Sequence, residues 1–193
     1  GIAHPFSFSW PFSQGCRFEM TISDYSCCDF IEIFNNPEHL EVNRKGLLLW
    51  EDLVLSGNSL AATSGMDLHE KNSLHGHYST YIQGKKDGDI SQEIADAIHN
   101  RHTWVCRGPL LQTHIQDGTL SFAIHQTGKP GYEPVADDHY LITLRSASRT
   151  VSCRLTDTID LTNFHKDKII IPKLYEEEDK LENLVCVSPV IVL

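Results

Sequence analysis

The clearest hydrophobic pattern in the chain is a helical stripe near its centre. Apolar side chains recur there at helical spacing, at Ile90, Ile94, Ala97 and Ile98. Asp89 followed by Gln92 has the spacing of a capping box, in which each residue satisfies a free backbone donor of the first turn. The pattern predicts one amphipathic helix over residues 89–101.

Most other patterned segments alternate between apolar and polar residues, which is typical of half-buried strands. The best examples are residues 119–125, 139–145 and 150–156, and the last two flank a short polar turn that predicts a hairpin. Further strands are expected at 17–23, 28–34, 168–172 and 184–193, with a short acidic helix over 175–181. Residues 46–55 fit either a helix or a strand.

These elements predict a mainly β fold, an antiparallel sandwich or open barrel of about eight or nine strands. An α+β fold is the alternative. Strands do not alternate with helices along the chain, which argues against a parallel sheet. Residues 1–16 are expected to form an aromatic N-terminal arm or an edge strand, and residues 17–193 a single globular β-rich domain.

Composition and charge narrow the classes of partner. The 193 residues are 40% hydrophobic and 22% charged, which suits one globular domain. A formal charge of −10 would repel phosphate backbones and anionic membranes, so neither a nucleic-acid nor a membrane partner is expected. No apolar run approaches the ~18 residues of a membrane span. The expected partners are therefore another protein, a second copy of the chain or a glycan.

The six cysteines favour reduced thiols and an intracellular protein, although the even count leaves secretion open. They show no C-x-x-C spacing, and three of them lie in apolar, strand-like segments. Cys27 and Cys28 are adjacent. On a strand their side chains would point to opposite faces, so they are expected to bond other groups rather than each other.

Eleven histidines are the main compositional oddity. His75 and His77 form an H-x-H pair that would project from one face of a strand, as metal-chelating pairs do. Asp96, His99 and His102 lie three residues apart, opposite the isoleucine stripe, and are the candidate further ligands. No cofactor is expected on the leading interpretation, and zinc or another divalent transition metal is the alternative.

A second arrangement pairs imidazoles with hydroxyls. His77 with Ser79, and His125 with Thr127, form two H-x-Ser/Thr units. Paired units of this kind serve phosphoesterases that use one histidine as base and the other as acid. The turn signal directly after Thr127 and the acidic charge both weaken this prediction.

Aromatic side chains occupy every second position near the start of the chain, at Phe6, Phe8, Trp10 and Phe12. Such a face packs on a sheet, on another subunit or on a ligand. In the absence of a specific catalytic motif, the sequence favours a non-enzymatic binding or assembly module that uses loops and this arm for protein or glycan contacts. The alternative is a small metal-dependent or histidine-based hydrolase centred on His75 and His77.

Overall fold

Strands dominate the protein, as the sequence predicts. The computed structural model describes residues 1–6, 21–35, 40–66, 76–85 and 87–193. Within them lie two helices, α1 (Leu40–Leu55) and α2 (Ile90–His99). The strands are β1 (Phe30–Asn35), β2 (Ala61–Gly65), β3 (Ser79–Ile82), β4 (Thr103–Cys106), β5 (Leu110–Gln116), β6 (Thr119–His125), β7 (Tyr140–Arg145), β8 (Thr150–Cys153), β9 (Ile159–Asp160), β10 (Ile169–Glu176), β11 (Leu184–Val187) and β12 (Ile191–Val192).

A seven-stranded antiparallel sheet forms the centre of the structure. Its strand order is β3-β4-β11-β10-β7-β8, and β12 also pairs with β10. All of β10 except Glu176 is buried. Because successive side chains of a strand point to opposite faces, this burial means that both faces of the sheet are covered.

Two hydrophobic clusters account for the covered faces. On one face, Ile169, Ile171 and Tyr175 join Trp50 of α1 and Phe34 of β1. On the other face, alternate residues of β10 pack with the sheet β5-β6-β9, a cluster that includes Ile170, Leu174, Leu111 and Leu120. The fold is therefore layered, with the central sheet between a helix-containing layer and a small antiparallel sheet.

The helix-containing layer is a parallel β1–α1–β2 unit, a local exception within the mainly antiparallel fold that the sequence predicts. Trp50 anchors α1 by donating its indole N–H to the Leu60 carbonyl at 2.9 Å. Gly46 lets the helix approach β1, since a Cβ there would lie 3.2 Å from the Ile33 oxygen. Residues 46–55, whose sequence fits either a helix or a strand, thus belong to α1, the longer of the two helices.

The predicted helix and hairpin are confirmed. Helix α2 begins after Asp89, whose carboxylate accepts the Ser91 backbone N–H at 2.9 Å, and β7 pairs with β8. The acidic helix predicted over 175–181 is wrong, because β10 continues to Glu176 and a turn follows. Neither described helix has the length and apolar character needed to cross a bilayer.

The adjacent cysteines lie on a turn and not on a strand. Residues Tyr25–Cys27 form one turn of 3-10 helix, and Cys28 ends it. The tight turn brings the two sulfur atoms to 3.9 Å, so the prediction that the side chains point apart is wrong. All five described cysteines are free.

Candidate functional site

A cleft of about 720 Å³ opens between α2 and the edge of β5. Its size falls within the range of about 300–1,000 Å³ that is usual for ligand sites. Four groups of residues line it: residues 83–85 directly after β3, one face of α2, the start of β4, and residues 112–115 with residues 189–192.

The cleft runs along an open strand edge. Residues 112–115 are four consecutive positions of β5, and their side chains must point alternately to the two faces of the sheet. A cleft that contacts all four therefore lies beside the backbone of β5. Among the described residues, β5 pairs with β6 alone. Near the start of the strand, the Leu111 carbonyl already accepts from the side chains of Trp104 and Ser188. Beyond it, the second edge presents the outward backbone donors and acceptors of residues 112–115 to the cleft.

The α2 wall of the cleft is acidic. Glu93 and Asp96 line it, with Lys85 the one cationic side chain among the lining residues. Glu93 also accepts the backbone N–H of Lys85 at 2.9 Å, which ties the turn after β3 to the helix. Two carboxylates against one ammonium favour a ligand that carries positive charge.

Exposed apolar side chains surround this region. Ile115 is 52% exposed and Val192 is 59% exposed, and both line the cleft. On α2, Ile90 is 60% exposed and Ile94 is 44% exposed. The isoleucine stripe of α2 therefore faces outward over much of its length, with Ala97 as its one buried residue. Clustered exposed apolar surface is typical of interaction sites.

The predicted metal ligands are divided between two places. Asp96 and His102 line the cleft, and His99 is exposed at the end of α2. Helix α2 ends at His99, so the polar stripe does not continue to His102 on a helix. His77 lies just before β3. Because β3 pairs antiparallel with β4, His102 lies at the opposite end of this strand pair. The four residues of β3 span about 10 Å, so the two histidines are well separated.

His75 lies outside the described residues. Among those that are described, no group of three histidine, cysteine or carboxylate side chains could hold a metal ion. The metal site centred on His75 and His77 stays a prediction.

The two H-x-Ser/Thr units lie in neighbouring parts of the fold. The loop after β6 returns to β3, where the Lys129 ammonium donates to the Ser79 hydroxyl and the Gly76 backbone N–H donates to the Pro130 carbonyl at 3.2 Å. Thr127 donates to the Gly108 carbonyl at 2.7 Å. Partial burial disfavours the ammonium and lowers the pKa of Lys129.

His77 is half-buried next to this loop, and no described residue forms a hydrogen bond with its Nδ1 atom. His125 ends β6 and is exposed. The structure thus brings Ser79 close to the loop that carries Thr127, and adds Lys129, which the sequence patterns did not single out.

Of the predicted aromatic face, Phe6 is half-buried, whereas Phe8, Trp10 and Phe12 lie outside the described residues. Near the same end of the chain, Ile2 forms a parallel bridge with Ile31 of β1. The role of the aromatic face stays a prediction.

Strand β5, which forms the main lining of the cleft, was not predicted from the sequence. A signal for β5 existed, since Leu111, Thr113 and Ile115 alternate before the Asp117-Gly118 turn. Both turn residues have positive φ, 50° and 75°, which is the geometry of a tight hairpin. No sequence signal shows that β5 would keep one edge open, because this depends on how the three sheets meet.

The fold and the cleft define a mainly β protein in which the edge of β5 lies open beside a helix. Comparison of the chain with protein-family models, with curated proteins and with solved structures finds no match.

Proposed function

We propose that this chain is a protein-binding module that holds an extended, basic peptide segment in the cleft beside β5. The open edge of β5 carries the proposal, because an added strand would satisfy its free backbone groups. Strand addition supplies main-chain hydrogen bonds, and pockets beside the edge select the side chains.

The surroundings of the edge support the same ligand. Ile115 and Val192 offer apolar contacts at the cleft, and Glu93 with Asp96 offers charge for a lysine or arginine of the peptide. Such a segment exposes both backbone edges, so it would also lie beside residues 189–192 on the other side of the cleft.

A displayed library of random peptides, selected on the purified chain, tests this proposal. The selected peptides should be rich in basic and aliphatic residues, and Ile115→Lys or Asp96→Lys should weaken their binding at least tenfold. Leu48→Lys is the matched control, because Leu48 is an exposed apolar residue on α1 and does not line the cleft.

Backbone methylation of a selected peptide separates strand addition from other modes of binding. N-methylation on the residues that pair with β5 should abolish binding, and N-methylation on the intervening residues should be tolerated, because a strand directs alternate amides to opposite edges. Equal tolerance at all positions would contradict the proposal, as would selected peptides that bind the Ile115→Lys variant normally.

A hydrolase is the second candidate, and the contact between Ser79 and Lys129 favours it. A hydroxyl beside an amine of lowered pKa is an arrangement found in nucleophilic catalysis, and His77 lies two residues away. Hydrolysis of bis(p-nitrophenyl) phosphate that is lost in His77→Ala and kept in His165→Ala would support it. Elemental analysis of the purified protein tests the metal-dependent version.

A further inference from the structure

The turn that precedes β1 presents two adjacent thiols. Cys27 is exposed and Cys28 is half-buried, and their Sγ atoms lie 3.9 Å apart. The Cys27 thiol also lies 3.0 Å from the Asp24 carbonyl oxygen, to which it donates. Three potential ligand atoms therefore meet at the surface of one short turn.

Local hydrogen bonds and packing hold this turn in shape. The Asp24 carboxylate accepts the Ser26 backbone N–H at 2.9 Å, and the Cys28 backbone N–H donates to the Tyr25 carbonyl at 3.0 Å. Tyr25 and Cys28 also pack against the hydrophobic cluster of β1 and α1. The backbone of the turn, and with it the positions from which both thiols project, is consequently set by the fold before any ligand arrives.

The distance between the sulfur atoms fits metal chelation. A disulfide requires about 2.05 Å between the sulfur atoms. Two thiolates that each bind one ion at about 2.3 Å lie about 3.8 Å apart at a tetrahedral angle and about 4.0 Å apart at a trigonal angle. The observed 3.9 Å lies between these two values, so the pair can bind an ion with almost no movement.

We propose that Cys27 and Cys28 form a binding site for monovalent copper. On binding, each thiol releases its proton to solvent, and the two thiolates coordinate Cu⁺ without any change of oxidation state. Soft thiolate ligands select Cu⁺. Two protein sulfurs, with one small ligand from solution, complete a low coordination number.

Charges of both signs lie near the turn, since the amino-terminal ammonium of Gly1 acts on the Cys28 thiol as well as Asp29. Asp24 and Asp29 flank the two cysteines, and both are acidic residues. Zn²⁺ is a poorer fit, because structural zinc sites need four protein ligands, and no group of three metal-binding side chains occurs in the part of the chain that the structure describes.

Anaerobic titration of the reduced protein with Cu⁺, against a chromophoric copper chelator, tests the site. The wild type should retain one equivalent of copper, and Cys27→Ser and Cys28→Ser should each release it to the chelator. Ser26→Ala is the matched control, since it alters the same turn and keeps both thiols. A Cys16→Ser variant shows whether the remaining N-terminal thiol takes part.

Three results would overturn the proposal: no copper retained by the wild type, copper retained when Cys27 and Cys28 are both replaced by serine, or loss of copper in Cys16→Ser with both turn cysteines present. Circular dichroism of every variant verifies that lost binding does not reflect unfolding. A parallel titration with Zn²⁺ should give weaker binding, and tighter retention of zinc than of copper would also contradict the assignment.

Discussion

The two helices of this protein contribute to the molecule in opposite ways. Helix α1 packs firmly into the hydrophobic cluster on its side of the central sheet, with Trp50 and Glu51 each only 1% exposed. Helix α2 has the stronger amphipathic pattern, yet Ala97 is its one buried residue, and Ile90 and Ile94 face outward. A regular helical stripe therefore predicts that a helix forms, but it does not predict which surface covers its apolar side.

The largest loss of stability is expected from a substitution of Trp50 in α1. Trp50→Ala removes a buried indole and its hydrogen bond to the Leu60 carbonyl, so we expect the free energy of unfolding to fall by about 4 kcal/mol. Urea unfolding followed by circular dichroism measures it. Leu48→Ala, on the exposed side of the same helix, should cost far less. Equal losses from the two variants would contradict the assigned orientation of α1.

The next largest loss of stability is expected at Glu51, whose charged carboxylate connects α1 to the central sheet. The buried Glu51 carboxylate accepts from Lys173 at 2.6 Å and also from Arg145. Glu51→Gln leaves Lys173 buried with a weaker partner, so we expect a loss of about 3 kcal/mol. The double variant Glu51→Gln with Lys173→Met should recover part of this loss. A double variant less stable than Glu51→Gln alone would contradict the pairing.

The same pair predicts a dependence on alkaline pH. Burial favours the neutral amine, but the Glu51 carboxylate and Tyr175 together outweigh it and hold the pKa of Lys173 above its usual value. The stabilisation is therefore complete below the unfolded pKa of about 10.4 and is lost as the pH rises through the folded pKa. Urea unfolding should show a decline above that pH in the wild type and a smaller decline in Lys173→Met. Identical declines would exclude Lys173 as the titrating group.

A smaller and local effect is expected at the start of α2. Asp89→Ala removes the carboxylate that accepts from Ser91, which costs about 1 kcal/mol in a typical helix. Because α2 packs weakly, hydrogen exchange should accelerate in α2 and remain unchanged in α1. Asp87→Ala, two residues earlier, is the control. Faster exchange across the whole protein would show that α2 is more firmly integrated than its exposure indicates.

The smallest effect on stability is predicted for the outward isoleucines. Ile90→Lys and Ile94→Lys should each change the free energy of unfolding by less than about 0.5 kcal/mol, because exposed positions contribute little. Thermal unfolding of the two variants is the measurement. A loss of several kcal/mol from either would mean that another part of the chain covers the stripe.

The sequence predicted local elements better than it predicted their assembly. Helix α2, the β7–β8 hairpin and the mainly β class follow from periodicity and turn residues. Helix α1 did not, because Gly46 and the run Leu47-Leu48-Leu49-Trp50 obscure its period while tertiary burial stabilises it. The cleft depends on how the sheets meet. The spacing of Cys27 and Cys28 depends on a turn that extends to Cys28, which the sequence pattern places at the start of a strand.

Hydrogen–deuterium exchange of β5, with and without a selected peptide, measures whether the peptide adds a strand to this edge. The amides of residues 112–116 that face the cleft should become protected when the peptide binds, and those of α1 should not change. Protection that appears elsewhere while β5 exchanges as before would contradict strand addition at this edge.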